Sequence, residues 1–130
     1  MSGPKKTGIL FYAKDIAKIS SFYEQLLSAR LVHSDGEHHV IECSEIQLLI
    51  YAMPKQYLNK VVIKTPPIPR EEQAIKPFFT VENLISAEHL VRQAGGVVFG
   101  PVWSVLGMKV RNVCDPEGNI IHIREISTHS

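Results

Sequence analysis

The sequence predicts an α+β fold built from two copies of one unit, a strand and a helix followed by three strands. Three observations carry that expectation. Two segments, 16–27 and 84–94, place apolar residues at helical spacing, and each follows a short apolar strand. Each is followed in turn by three further strand-like runs. The last two runs are joined by Asp115-Pro116-Glu117-Gly118-Asn119, where Pro fixes φ for one turn position and Gly supplies the positive φ that closes the reversal.

In order, Gly8 to Ala13 is an apolar strand with Leu10 and Tyr12 on one face and Ile9, Phe11 and Ala13 on the other. Asp15 suits a helix N-cap, and Ile16, Ile19, Phe22, Tyr23, Leu26 and Leu27 form the apolar stripe of a helix ending near Ser28. Leu31 to His33 reads as a short strand, Ser34-Asp35-Gly36 as a hairpin turn, His38 to Glu42 as a strand, and Ile46 to Met53 as the longest apolar strand of this half. Residues 54–75, with Pro54, Pro66, Pro67 and Pro69, read as a linker with room for an edge strand at Val61 to Ile63.

The order then restarts, with the second unit spanning 76–126 and the first 8–53. Phe78 to Val81 is a strand, Asn83 a cap, and Leu84, Ala87, Leu90, Val91 and Ala94 a helical face stopped by Gly95-Gly96. Val97 to Phe99 is a strand and Gly100-Pro101 a break, so Trp103 falls in a loop. Met108 to Val113 and Asn119 to Ile126 are the last two strands, and alternation puts Ile120, His122 and Arg124 on one face of the latter. Laying Ala13-Lys14-Asp15-Ile16 over Val81-Glu82-Asn83-Leu84 aligns Phe22 with Leu90 and Leu26 with Ala94, a repeat of pattern with little identity. Two βαβββ units forming curved mixed sheets would enclose a cleft.

At 130 residues the chain makes one domain able to bury roughly two-thirds of its unfolded surface. Fourteen Lys plus Arg against 13 Asp plus Glu, a net charge of +1, gives no long-range field for nucleic acid or an anionic membrane. Cys43 and Cys114 lack CxxC spacing and read as buried reduced thiols. The N-terminal Met-Ser-Gly-Pro-Lys-Lys has charge but no apolar region after it, and no run is long enough to span a bilayer, so the expected compartment is the cytoplasm.

The element order, the Asp115-Pro116-Glu117-Gly118-Asn119 turn and Phe22-Tyr23-x-x-Leu26-Leu27 in the first helix together resemble the vicinal oxygen chelate superfamily: glyoxalases, extradiol dioxygenases, fosfomycin-resistance transferases and bleomycin-resistance proteins. The resemblance covers essentially the whole chain and implies a homodimer. It also implies, in metal-dependent members, an ion held by His and Glu from the first and last strands of each unit. Counted from the motifs, those positions are Gly8, Leu48, Lys76 and His122, of which only His122 can ligate. The expectation is therefore no cofactor and no metal. The acidic groove of bleomycin binders also has no match here, because Lys76 and His122 invert the charge.

The reading that follows is a metal-free small-molecule binding protein for an apolar or aromatic, anionic ligand. His122, Lys76 and Arg124 supply the polar contacts, and Tyr12, Leu48, Phe78 and Trp103 the apolar wall. The alternative is a glyoxalase- or dioxygenase-like lyase, isomerase or oxidoreductase with an atypical active site. Against each assignment stands a plainer one: His122 as a cleft-wall histidine, Lys76 as a solvated strand-end lysine, the aromatics as core. His33, His38 and His39 look metal-like in print, but neighbouring strand residues point to opposite faces, which leaves only His33 and His39 to converge. Asp35, Glu37, Glu42 and Glu45 read as solvated hairpin charges.

Overall fold

A computed structural model describes residues 5–126; residues 1–4, where the N-terminal stretch read above begins, lie outside the described residues. The chain divides into two compact units, one up to Val62 and one from Ile63. The first holds β1 (Gly8–Ala13), α1 (Ile16–Leu27), β2 (Arg30–Ser34), β3 (His38–Glu42), β4 (Gln47–Ala52) and a single-turn helix α2 (Lys55–Leu58). The second holds β5 (Phe78–Val81), α3 (Leu84–Gln93), β6 (Val97–Val105), β7 (Met108–Cys114) and β8 (Ile120–Ile126). Each sheet has four strands, ordered β1-β4-β3-β2 and β5-β8-β7-β6, with the helix-connected strand parallel to the last strand of its unit and all other pairs antiparallel. The α+β architecture is that of two βαβββ units.

One face of each sheet is covered by its own helix. Asp15 caps α1 by accepting from Lys18 N at 3.0 Å, and Ser28 ends it in the left-handed region. The stripe of Ile19, Phe22, Tyr23 and Leu26 is buried with Phe11, Ile41, Leu48 and Ile50, and the rings of Phe11 and Tyr23 stack 5.0 Å apart. Burying each such side chain stabilises the unit by roughly 1.5–3 kcal/mol. In the second unit Asn83 caps α3 through Ser86 N at 2.8 Å, while Glu125 of β8 accepts from Leu84 N at 2.6 Å. A carboxylate there also opposes the positive end of the helix dipole. Leu84, Ala87 and Val91 are buried together with Phe79, Val113, Ile121 and Ile123.

The stretch 54–75 is not a free tether. No strand forms at Val61 to Ile63, and Arg70 and Gln73 are tied to the turn before β8 and to its first residue. Arg70 N donates to Gly118 O at 2.9 Å and Arg70 Nε to Glu117 O at 3.1 Å. Gln73 behaves as a short strand neighbour to β8, accepting from Ile120 N at 2.9 Å and donating to Ile120 O at 2.7 Å. A side-chain amide thus satisfies the β8 backbone ahead of the first β5 pair, Phe78 with His122. Gly118 must be glycine twice over: its φ is +87°, and a Cβ would collide with Ile68 O.

β6 runs through Gly100-Pro101 rather than breaking there. The ladder shifts from Phe99 opposite Asn112 to Trp103 opposite Val110, so Gly100, Pro101 and Val102 oppose Arg111 alone. This is a bulge, where Gly at φ +73° and a Pro without an N–H are tolerated. Trp103 is therefore a strand residue and not a loop residue. Cys114 is buried as expected, and burial pushes its thiol up to about 11, whereas Cys43 is only half-buried. Among the described residues no helix is long and apolar enough to cross a membrane.

Candidate functional site

The face of each sheet turned away from its helix is set by strand parity. In the second unit it presents Phe78 and Thr80 from β5, His122 and Arg124 from β8, Asn112 and Met108 from β7, and Phe99 and Trp103 from β6. Four of the residues expected to bind a ligand, Phe78, Trp103, His122 and Arg124, meet here. The guanidinium of Arg124 lies over the Phe78 ring, 3.5 Å from its centroid, and Arg124 Nε donates to Thr80 Oγ1 at 3.3 Å. The Trp103 and His122 rings meet edge to face with centroids 5.1 Å apart. Phe78 is 53% exposed although its ring carries a cation, an arrangement unlike a core packing role.

Lys76 stands two residues ahead of Phe78, and His122 N donates to Pro77 O at 2.9 Å, which ties this segment to β8. Burial, and secondarily the Lys76 ammonium, hold the His122 imidazole below its ordinary value of 6.5. His122 is thereby a neutral ring at neutral pH, one nitrogen donating and the other accepting.

In the first unit the same parity gives Tyr12, Leu10, Gln47, Leu49, Tyr51, Val40, His38 and Glu42. Tyr12 is on this face and 53% exposed. Leu48 is not. It is 1% exposed, on the helix-covered face beside Ile9 and Ile41, so the expected apolar wall loses it to the core. The residue paired with Gly8 is Gln47, whose amide donates to Glu42 Oε2 at 3.2 Å; Glu42 also meets Arg30 at 3.5 Å.

Nor do His33 and His39 converge. A register shift between Leu31 and His33 sets His33 opposite Val40, and His39 pairs with Ser34. His33 and His38 meet instead on Asp35, which both approach to 2.9 Å. Asp35 further accepts from Glu37 N at 2.8 Å and His38 N at 2.9 Å. The Glu37 amide first, then His33 and His38, hold its carboxyl well below the usual carboxylate range although it is exposed. The sequence signal for this cluster is a Ser-Asp-Gly turn with histidines two residues before and three residues after the Asp.

Residues at the metal positions of the resembling family do not fit an ion. Gly8 offers no donor, and a Cβ there would come within 2.8 Å of Gln47 O. Leu48 faces the core, Gln47 is a neutral amide already engaged, and Lys76 is a cation. That leaves His122 as the one ligand type. Among the described residues no three His, Cys, Asp or Glu side chains gather as a ligand set.

No family profile and no curated protein matches this sequence. Solved structures do. A glyoxalase/bleomycin resistance protein/dioxygenase family enzyme from Burkholderia phytofirmans superposes with a TM-score of 0.71 at 14% identity, covering 95% of this chain and 99% of its own. A glyoxalase/bleomycin resistance protein from Albidiferax ferrireducens gives 0.66 at 13% identity, with coverage of 92% and 96%. A glyoxalase-related enzyme from Fulvimarina pelagi gives 0.65 at 18% identity, with coverage of 93% and 87%. The chain has the fold of the vicinal oxygen chelate superfamily, and at these identities the likeness speaks for the fold alone.

Proposed function

We propose that this protein binds a small molecule without a metal, and that its ligand is an apolar or aromatic anion held on the open face of the second sheet. The observation that carries the reading is Arg124, a cation laid over Phe78 on the face it shares with Trp103 and His122, with no carboxylate paired to it among the described residues. A cation kept among aromatic groups without an internal counter-charge is suited to an external one. Lys76 adds positive charge close enough to depress the titration of His122. The charge is opposite to that of a carboxylate-lined metal centre or of an acidic groove for a cationic drug.

A thermal-shift screen tests this with aromatic acids, their amides and their cationic analogues, repeated on Lys76→Met and His122→Ala. Acids raise the melting temperature and the other two classes do not. One charge-assisted anchor is worth roughly 1.5–3 kcal/mol, so losing one weakens binding about tenfold or more. Greater stabilisation by cations or uncharged compounds, or shifts indifferent to both substitutions, overturns the reading.

A further inference from the structure

Arg124 and His122 lie two residues apart on one face of β8, and each has polar atoms without a protein partner among the described residues. Stacking on Phe78 fixes the plane of the guanidinium, and the bond from Nε to Thr80 Oγ1 fixes its rotation within that plane. With Nε engaged, the side-on approach is taken and the end-on pair Nη1 and Nη2 remains. Arg30 and Arg111, by contrast, each reach a carboxylate through a terminal nitrogen, in Glu42 and Glu88. A planar fork held at its far side matches a planar anion with two oxygens.

His122 adds a second point of recognition. Two strand residues span about 7 Å, comparable with the length of a benzene ring bearing groups at opposite ends. The neutral imidazole offers one accepting nitrogen, which a hydroxyl can use as donor. Trp103, edge to face with His122, supplies an apolar side to the span between the two points. A planar carboxylate presents two oxygens to the fork in its own plane, whereas a phosphate monoester presents a tetrahedral group of three.

We propose that β8 bears a two-point site for a hydroxyaryl carboxylate, with the carboxylate on the Nη1/Nη2 fork of Arg124 and the hydroxyl donating to a ring nitrogen of His122. The assignment rests on the anionic-ligand reading above and makes it specific: Arg124, rather than Lys76, is the principal anchor.

Calorimetric titration with 4-hydroxybenzoate, 4-methoxybenzoate and 4-hydroxybenzamide tests it on the wild type, Arg124→Met, Arg124→Lys and His122→Phe, each checked for an unchanged melting profile. The wild type favours 4-hydroxybenzoate over both analogues by tenfold or more. Arg124→Lys, which keeps the charge but loses the fork and the stack, weakens 4-hydroxybenzoate about tenfold and leaves the amide unchanged. His122→Phe abolishes the preference for hydroxy over methoxy. Equal affinity of 4-hydroxybenzoate for the wild type and both Arg124 variants, or equal affinity of the wild type for hydroxy and methoxy acids, overturns the two-point site while the broader anionic-ligand reading stands. If aromatic acids as a class fail to bind, both fall together.

Discussion

Each unit has an aspartate-centred turn joining two strands of a hairpin, Asp35 between β2 and β3 and Asp115 between β7 and β8, but the two stand in opposite surroundings. Asp35 is open to solvent and gathers two backbone amides and two imidazoles. Asp115 is 0% exposed; its Oδ1 accepts from Glu117 N at 2.9 Å and Asn119 N at 3.1 Å, and its Oδ2 from Asn119 Nδ2 at 2.9 Å. The open sheet faces differ in the reverse sense. The first joins Arg30, Glu42 and Gln47 among themselves, and the second leaves Arg124 without a paired carboxylate among the described residues. Charge in the first unit is thus satisfied on its surface. In the second, Asp115 is buried where it organises the turn, and Arg124 meets no carboxylate among the described residues.

The largest effect that would break this comparison is at the buried aspartate. Asp115→Ala strands three donors, one buried and two part-buried, each costing up to about 1–3 kcal/mol, and a total loss of several kcal/mol is expected in urea denaturation. A change below about 1 kcal/mol would mean that solvent reaches the turn and that the two aspartates are alike after all. Asn119→Ala, which removes only the Oδ2 partner, should cost a fraction of that.

A smaller effect sharpens the comparison at Asp35. Its carboxyl is held below the ordinary value of 3.8 in the folded protein, so its contribution to stability is present above that value and is lost as pH falls through it toward the folded value. Asp35→Asn should slightly lower the melting temperature at neutral pH and flatten the acid limb below about pH 5. His122 acts in the same direction from a higher starting point. Because its folded value is depressed, the folded state resists protonation, and stability declines as pH drops below 6.5. An acid limb unchanged by Asp35→Asn would show that the imidazole contacts do not hold in solution.

Much of the fold was legible because it is written in local terms: two capped helical stripes, a Pro-Glu-Gly turn and runs of strand formers. What was not legible has physical causes. Leu48 reaches the open face only by counting along the motif, because Leu48 to Ala52 is apolar on both sides and alternation cannot say which parity the helix covers. Trp103 was read into a loop because Gly-Pro signals a break, and whether a bulge rejoins the ladder depends on Asn112 and Val110 across the sheet. Asp35 reads in sequence as a solvated charge, because a register shift in β2 decides which histidines share its side. Gln73 is a polar residue in a Pro-rich stretch until the backbone of Ile120 is placed beside it. His122 and Arg124 share a face by parity alone, and Phe78 joins them because β5 and β8 pair in register.

The central claim, that the unpaired charge of the second sheet receives an anion without help from a metal, is tested most directly by titrating chelator-stripped protein with 4-hydroxybenzoate and repeating the titration with zinc or manganese added. The predicted result is one dissociation constant, unchanged within about twofold by the metal, and weakened about tenfold by Arg124→Lys in both conditions. Binding that appears only with stoichiometric metal, and is then indifferent to Arg124→Lys, would contradict the account.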